Sequence, residues 1–104
     1  MVRRVLTIAN RRDDAHLRAA CTSVGLGGAD IGIPVADLTD TLDHHKALGL
    51  AAPQIGDRRR VIVVRLRDRT APSETLIIQM VEPHIMWRSA KTVSGKEGCL
   101  SIPE

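Results

Sequence analysis

The segment Gly49-Leu50-Ala51-Ala52-Pro53-Gln54-Ile55-Gly56 decides how this chain folds. Its small residues permit close backbone approach, and its glycines and proline end any helix that runs into it, so the stretch marks a tightly packed turn. Working back toward the N-terminus, Pro34 suits the first turn of a helix. Val35, Leu38 and Leu42 then recur at i, i+3 and i+7 with Asp37, Asp40, Asp43 and Lys46 off that face, which predicts an amphipathic helix over residues 35–46. Farther back, Gly25-Leu26-Gly27-Gly28 reads as a flexible stretch, and no Lys-Ser or Lys-Thr follows it at the spacing of a phosphate loop. Asp13 or Asp14 is expected to cap one helical turn containing Ala15, Leu17 and Arg18. Val2, Val5, Leu6 and Ile8 form an apolar segment that reads as an edge strand or an extended arm.

Working forward, Val61-Ile62-Val63-Val64 is β-branched and flanked by arginines, and Thr75-Leu76-Ile77-Ile78-Gln79-Met80-Val81 is a second strand candidate that stops at Pro83. The polar linker Arg65 to Ser73 between them suits a hairpin-like antiparallel pair. Ile85-Met86-Trp87 reads as a third short strand. No helical period follows residue 46. The expected class is therefore α+β, with one helix packed on a small, mainly antiparallel sheet in a single domain over residues 1–104.

A chain of 104 residues buries only a modest share of its unfolded surface, so its stability is expected to be marginal. Hydrophobic residues make up 43% of it, but Phe and Tyr are absent and Trp87 is the sole aromatic, so the core must be aliphatic. The formal charge is +3, and the arginines cluster at Arg3-Arg4, Arg11-Arg12, Arg58-Arg59-Arg60 and Arg65-x-Arg67-x-Arg69. Without interleaved aromatics for base stacking these clusters read as solvated faces, and no specific nucleic-acid partner is expected. No apolar run approaches the roughly 20 residues of a membrane span. Residues 1–12 also lack a signal-peptide core, and a cytoplasmic protein is expected. Cys21 and Cys99 are too few for a disulfide framework, which leaves two free thiols.

Spacing alone assigns no chemistry. Cys99, in Glu97-Gly98-Cys99-Leu100-Ser101-Ile102-Pro103, reads first as a small buried hydrophobe. His16, His44, His45 and His84 include no i, i+4 pair, and the adjacent His44 and His45 point about 100° apart on a helix. A cysteine nucleophile with a histidine base is not indicated by any spacing, and Gln54 alone is a polar loop residue.

Two motifs in order change this. Gly49-Leu50-Ala51-Ala52-Pro53-Gln54 resembles the first motif of the peptide deformylases, Gly-x-Gly-x-Ala-Ala-x-Gln, and Glu97-Gly98-Cys99-Leu100-Ser101 is similar to their second, Glu-Gly-Cys-Leu-Ser. Asp37-Leu38-x-x-Thr41-Leu42 resembles the helix that leads into motif one, and Val61 to Val64 the strand that follows it. The resemblance covers residues 35–104 well and 2–20 loosely.

The resemblance implies a metal-dependent amidohydrolase that removes the formyl group from formyl-methionyl nascent peptides, with the ribosome as a place of action. The ion would be Fe2+, replaceable by Zn2+ or Ni2+, activating water. Cys99 would be a metal ligand. The Gln54 amide and the Leu100 backbone N–H would donate to the oxyanion. Leu48, Gly49 and Glu97 would lie beside the substrate, with Leu48 lining the methionine pocket.

The family's third motif, His-Glu-x-x-His, does not occur in the sequence. It carries two of the three protein ligands and the general base, so this polypeptide alone is expected to hold no ion stably and to be inactive. The expected architecture is thus an incomplete, truncated deformylase-like fold lacking the C-terminal helix, with a face left open to homodimerisation, a molten state or aggregation. The alternatives are a non-catalytic homologue that keeps the formyl-Met pocket and a small basic binding protein. Two departures bear on local backbone: Ala47 stands at the first glycine of motif one, where a left-handed helix end is expected, and Glu82 stands at the usual Asn before Pro83.

Overall fold

A computed structural model describes residues 1–23, 32–67, 70–71 and 74–103. The Gly25–Gly28 stretch and Pro72 of the linker lie outside the described residues. Among the described residues two helices, α1 (Arg11–Arg18) and α2 (Gly32–His45), precede the strands β1 (Gly49–Ala51), β2 (Val61–Arg67) and β3 (Thr75–Val81), with a 3-10 turn over Ala52–Ile55. The strands form one antiparallel sheet in the order β1-β2-β3. The α+β class and the antiparallel pair of β2 and β3 are as expected, with Val61 opposite Val81 and Arg67 opposite Thr75.

Helix α2 lays Leu38 and Leu42, both fully buried, against Leu50, Ala52, Ile55, Val61 and Val63. Val35, Ala47, Ile77 and Leu100 pack around this cluster. Because every member is aliphatic or alanine, the core is closed by shape alone, and α2 is held by the stripe that its sequence spacing advertises.

Three local expectations are corrected. The first helix is longer than one turn and is capped by Asn10, whose Oδ1 accepts from the backbone N–H of Arg12 at 2.9 Å and of Asp13 at 3.1 Å. Asp13 is instead buried in the first turn, where Arg4 holds it bidentately at 2.7 and 2.9 Å. Second, the left-handed residue after α2 is Lys46 (φ 52°), one position before Ala47. The Ala47 N–H bonds the Leu42 carbonyl at 3.0 Å, which is the 6→1 closure of a helix C-terminus with Lys46 at the left-handed position. Third, Ile85-Met86-Trp87 is not a strand; the three side chains are exposed and no neighbouring strand pairs with them among the described residues. Of the two readings of the N-terminal segment, an edge strand or an extended arm, the structure shows the arm. It runs beside α2, where the Arg3 N–H donates to the buried Thr41 Oγ1 at 2.9 Å and the Met1 ammonium pairs with Asp37 and Asp40.

Candidate functional site

The turn after β1 positions Gln54. Pro53 suits the first turn of the short 3-10 helix, and Gly56 closes it in the left-handed region at φ 87°, its N–H bonding the Pro53 carbonyl at 3.1 Å. Gln54 is the third residue of this helix, and its side chain folds back: Oε1 accepts from the Ala51 N–H at 3.0 Å. That bond fixes which end of the amide is oxygen. Nε2 therefore points away from β1, toward the second motif, where it donates to Ser101 Oγ at 3.1 Å and to Cys99 Sγ at 3.7 Å.

The second motif is a turn in which the Ile102 N–H bonds the Cys99 carbonyl at 3.1 Å. Leu100 packs inward against the core, Ser101 is buried, and Cys99 is left exposed with its thiol beside Gln54. The expectation that Cys99 is a buried hydrophobe, read from spacing alone, is thus wrong. A backbone clasp ties the two motifs together: Leu6 donates to the Gln54 carbonyl at 2.7 Å and Ile8 to the Ser101 carbonyl at 2.9 Å.

Leu48, Gly49, Cys99 and Leu100 line one open cavity of about 370 Å3, with His45 and Lys46 on its rim. Glu97 lines an adjoining cavity of about 390 Å3 that shares Gly98 and Cys99. The fold therefore gathers Gln54, Cys99 and Leu100, with Leu48 and Gly49 on the same side and Glu97 next door. Leu48 is largely exposed on that side. Ser101 and the Leu6–Ile8 clasp have no counterpart in the sequence reading of site residues. Ser101 was visible only as the last letter of the second motif, and a through-space contact to Gln54 leaves no trace in spacing.

Among the described residues, no three His, Cys, Asp or Glu side chains gather where they could hold a metal ion. Cys99 is a single donor, and a catalytic divalent ion of this kind takes three protein ligands, so the donor set does not fit an ion by itself. The histidines do not complete it. His44 and His45 stack edge to face, centroids 5.0 Å apart, at the end of α2.

The polypeptide deformylase family model matches residues 4–104. The chain is 34% identical to the peptide deformylase of Polynucleobacter necessarius subsp. necessarius over 88% of its own length and 51% of that protein's. It is 35% identical to that of Methylocella silvestris over 88% of its length and 47% of the relative's. Among solved structures, a probable peptide deformylase from Synechococcus phage S-SSM7 superposes with a TM-score of 0.78 at 31% identity, covering 95% of this chain and 63% of that one. An actinonin-bound class I type b enzyme from Acinetobacter baumannii gives 0.79 at 26% identity, covering 100% and 64%. The chain spans about half the length of these first curated relatives.

Proposed function

From the premise that this chain belongs to the polypeptide deformylase family, we propose that it carries the thiolate and oxyanion side of a deformylase site for formyl-methionyl peptides. The observation that supports this reading best is the meeting of Gln54 Nε2 with Cys99 Sγ at 3.7 Å across a separation of 45 residues, Cys99 lining the same cavity as Leu48. Gln54 and the Leu100 backbone N–H serve as oxyanion donors, Leu48 and Gly49 border the peptide's first side chain, and Glu97 flanks the adjoining groove. Cys99 would serve as one ligand of an Fe2+, Zn2+ or Ni2+ ion, and among the described residues no group of three such ligands forms around it.

Taken alone, then, the polypeptide does not turn such peptides over. Anaerobic assay of the iron- or nickel-loaded 104-residue chain on a formyl-Met peptide tests this. No turnover is expected, and turnover abolished by Cys99→Ala would overturn it. The non-catalytic reading draws support from the lone donor at Cys99. Nucleic-acid binding is less well supported, because Arg3, Arg4, Arg18, Arg59 and Arg65 each pair with an aspartate, which leaves less free charge for phosphates. No helix among the described residues is long and apolar enough to cross a membrane; a cytoplasmic location is part of the proposal. Association of two copies through the exposed apolar side chains beyond β3 is also part of the proposal.

A further inference from the structure

The side-chain amide of Gln54 has two N–H groups and both have partners: Ser101 Oγ at 3.1 Å and Cys99 Sγ at 3.7 Å. The two partners are not equivalent. The hydroxyl of a buried serine is a good acceptor held on a fixed backbone, whereas sulfur is a weak acceptor on an exposed side chain. The first bond is thus the anchor, and the second N–H is the one free to exchange sulfur for another acceptor.

Everything around Gln54 reinforces that division. The Ala51 N–H fixes Oε1 at 3.0 Å, which blocks the flipped amide. The Leu6 and Ile8 N–H groups hold the Gln54 and Ser101 carbonyls at 2.7 and 2.9 Å, so one short arm sets the distance between the two residues. Ser101 is 4% exposed, and removing its hydroxyl would leave one amide N–H in a poorly solvated place with no acceptor, driving the side chain to reorient.

We propose that Ser101 is the positioning residue of this site: its hydroxyl takes one Gln54 N–H so that only the other is presented at Cys99 and to an incoming carbonyl. The proposal rests on the reading of Gln54 as an oxyanion donor for its purpose, though not for its geometry. Single-proton presentation matters because a donor works in catalysis when it is aimed before charge develops.

The test is nuclear magnetic resonance of the 15N-labelled 104-residue chain. In the wild type the two Gln54 side-chain amide protons should be displaced from their shifts in free glutamine, one with a cross-relaxation peak to the Ser101 β-protons and the other to the Cys99 β-protons. Ser101→Ala should abolish the Gln54–Cys99 peak and Ser101→Thr, which keeps the hydroxyl, should restore it. A Ser101→Ala chain that melts earlier but keeps that peak would show a purely structural role and overturn the proposal. So would wild-type amide protons that average to the shifts of free glutamine, a result that needs no variant to fold. These readouts involve neither metal nor turnover, so an unexpected deformylase assay leaves them untouched and they fail or stand on their own.

Discussion

Lys46 occupies the left-handed region at φ 52° with a full side chain. An L-residue there costs on the order of 1 kcal/mol relative to glycine. Lys46→Gly should therefore stabilise the chain by about 1 kcal/mol, less what the unfolded state gains in entropy, read as a higher denaturant midpoint at unchanged slope. A lower midpoint would mean that the lysine side chain is needed on the rim of the Cys99 cavity. The sequence pointed to this turn but placed it one residue late, because a glycine missing from a motif shows that a conformation is expected and not which neighbour absorbs it. Gln54 and Cys99 were legible for a different reason: each sits in an ordered run of specific residue types. Ser101's bond to Gln54 was not, since it joins positions 47 apart that only the fold brings together.

Among the elements, α2 was the most legible, because Val35, Leu38 and Leu42 lie on one stripe and two of them end fully buried. Leu42→Ala should cost about 3 kcal/mol by transfer and cavity terms together, enough in a chain this small to show as loss of most helical circular dichroism near physiological temperature; a near-native melt would mean that the core refills the space. Strand β1 escaped notice for a physical reason. Gly49-Leu50-Ala51 has weak strand preference and becomes a strand only by pairing with Ile62, Val63 and Val64. The converse error was Ile85–Trp87, where apolar residues suggested a strand that has no partner. That segment belongs to a stretch, residues 84–98, that is exposed throughout and carries no strand or helix. Trypsin should accordingly cut first after Arg88, Lys91 or Lys96, as identified by mass spectrometry of the earliest fragments. First cleavage after Arg65, inside β2, would contradict the assignment.

Over the whole molecule, ion pairs complement a small aliphatic core, and those of Met1 and Arg3 with Asp37 join the N-terminal arm to α2. Arg4 holds Asp13 below the usual carboxylate range, the Met1 ammonium and Arg3 do the same for Asp37, and Arg59 does so for Asp57. Each carboxyl has a folded pKa below its ordinary value of 3.8. The stabilisation is therefore complete above that value and is lost as pH falls through the lowered folded values. Thermal midpoints should be flat with respect to these groups near neutrality and drop below about pH 4, and Asp13→Asn should flatten part of that drop. An acid limb unchanged by Asp13→Asn would remove Asp13 from the account.

The clasp that joins Leu6 to Gln54 and Ile8 to Ser101 has a consequence for the order of events in synthesis. Leu6 and Ile8 must wait for Gln54 and Ser101, which are made later, before their amides find partners. Pairing across so long a loop costs chain entropy that no local contact repays beforehand. The helix and hairpin can form while the chain is still emerging, but the gathering of Gln54, Cys99 and Ser101 comes only once residue 101 is free to move. Until then the chain is a half-folded scaffold with its arm unattached, and that interval is when proteases and chaperones would meet it.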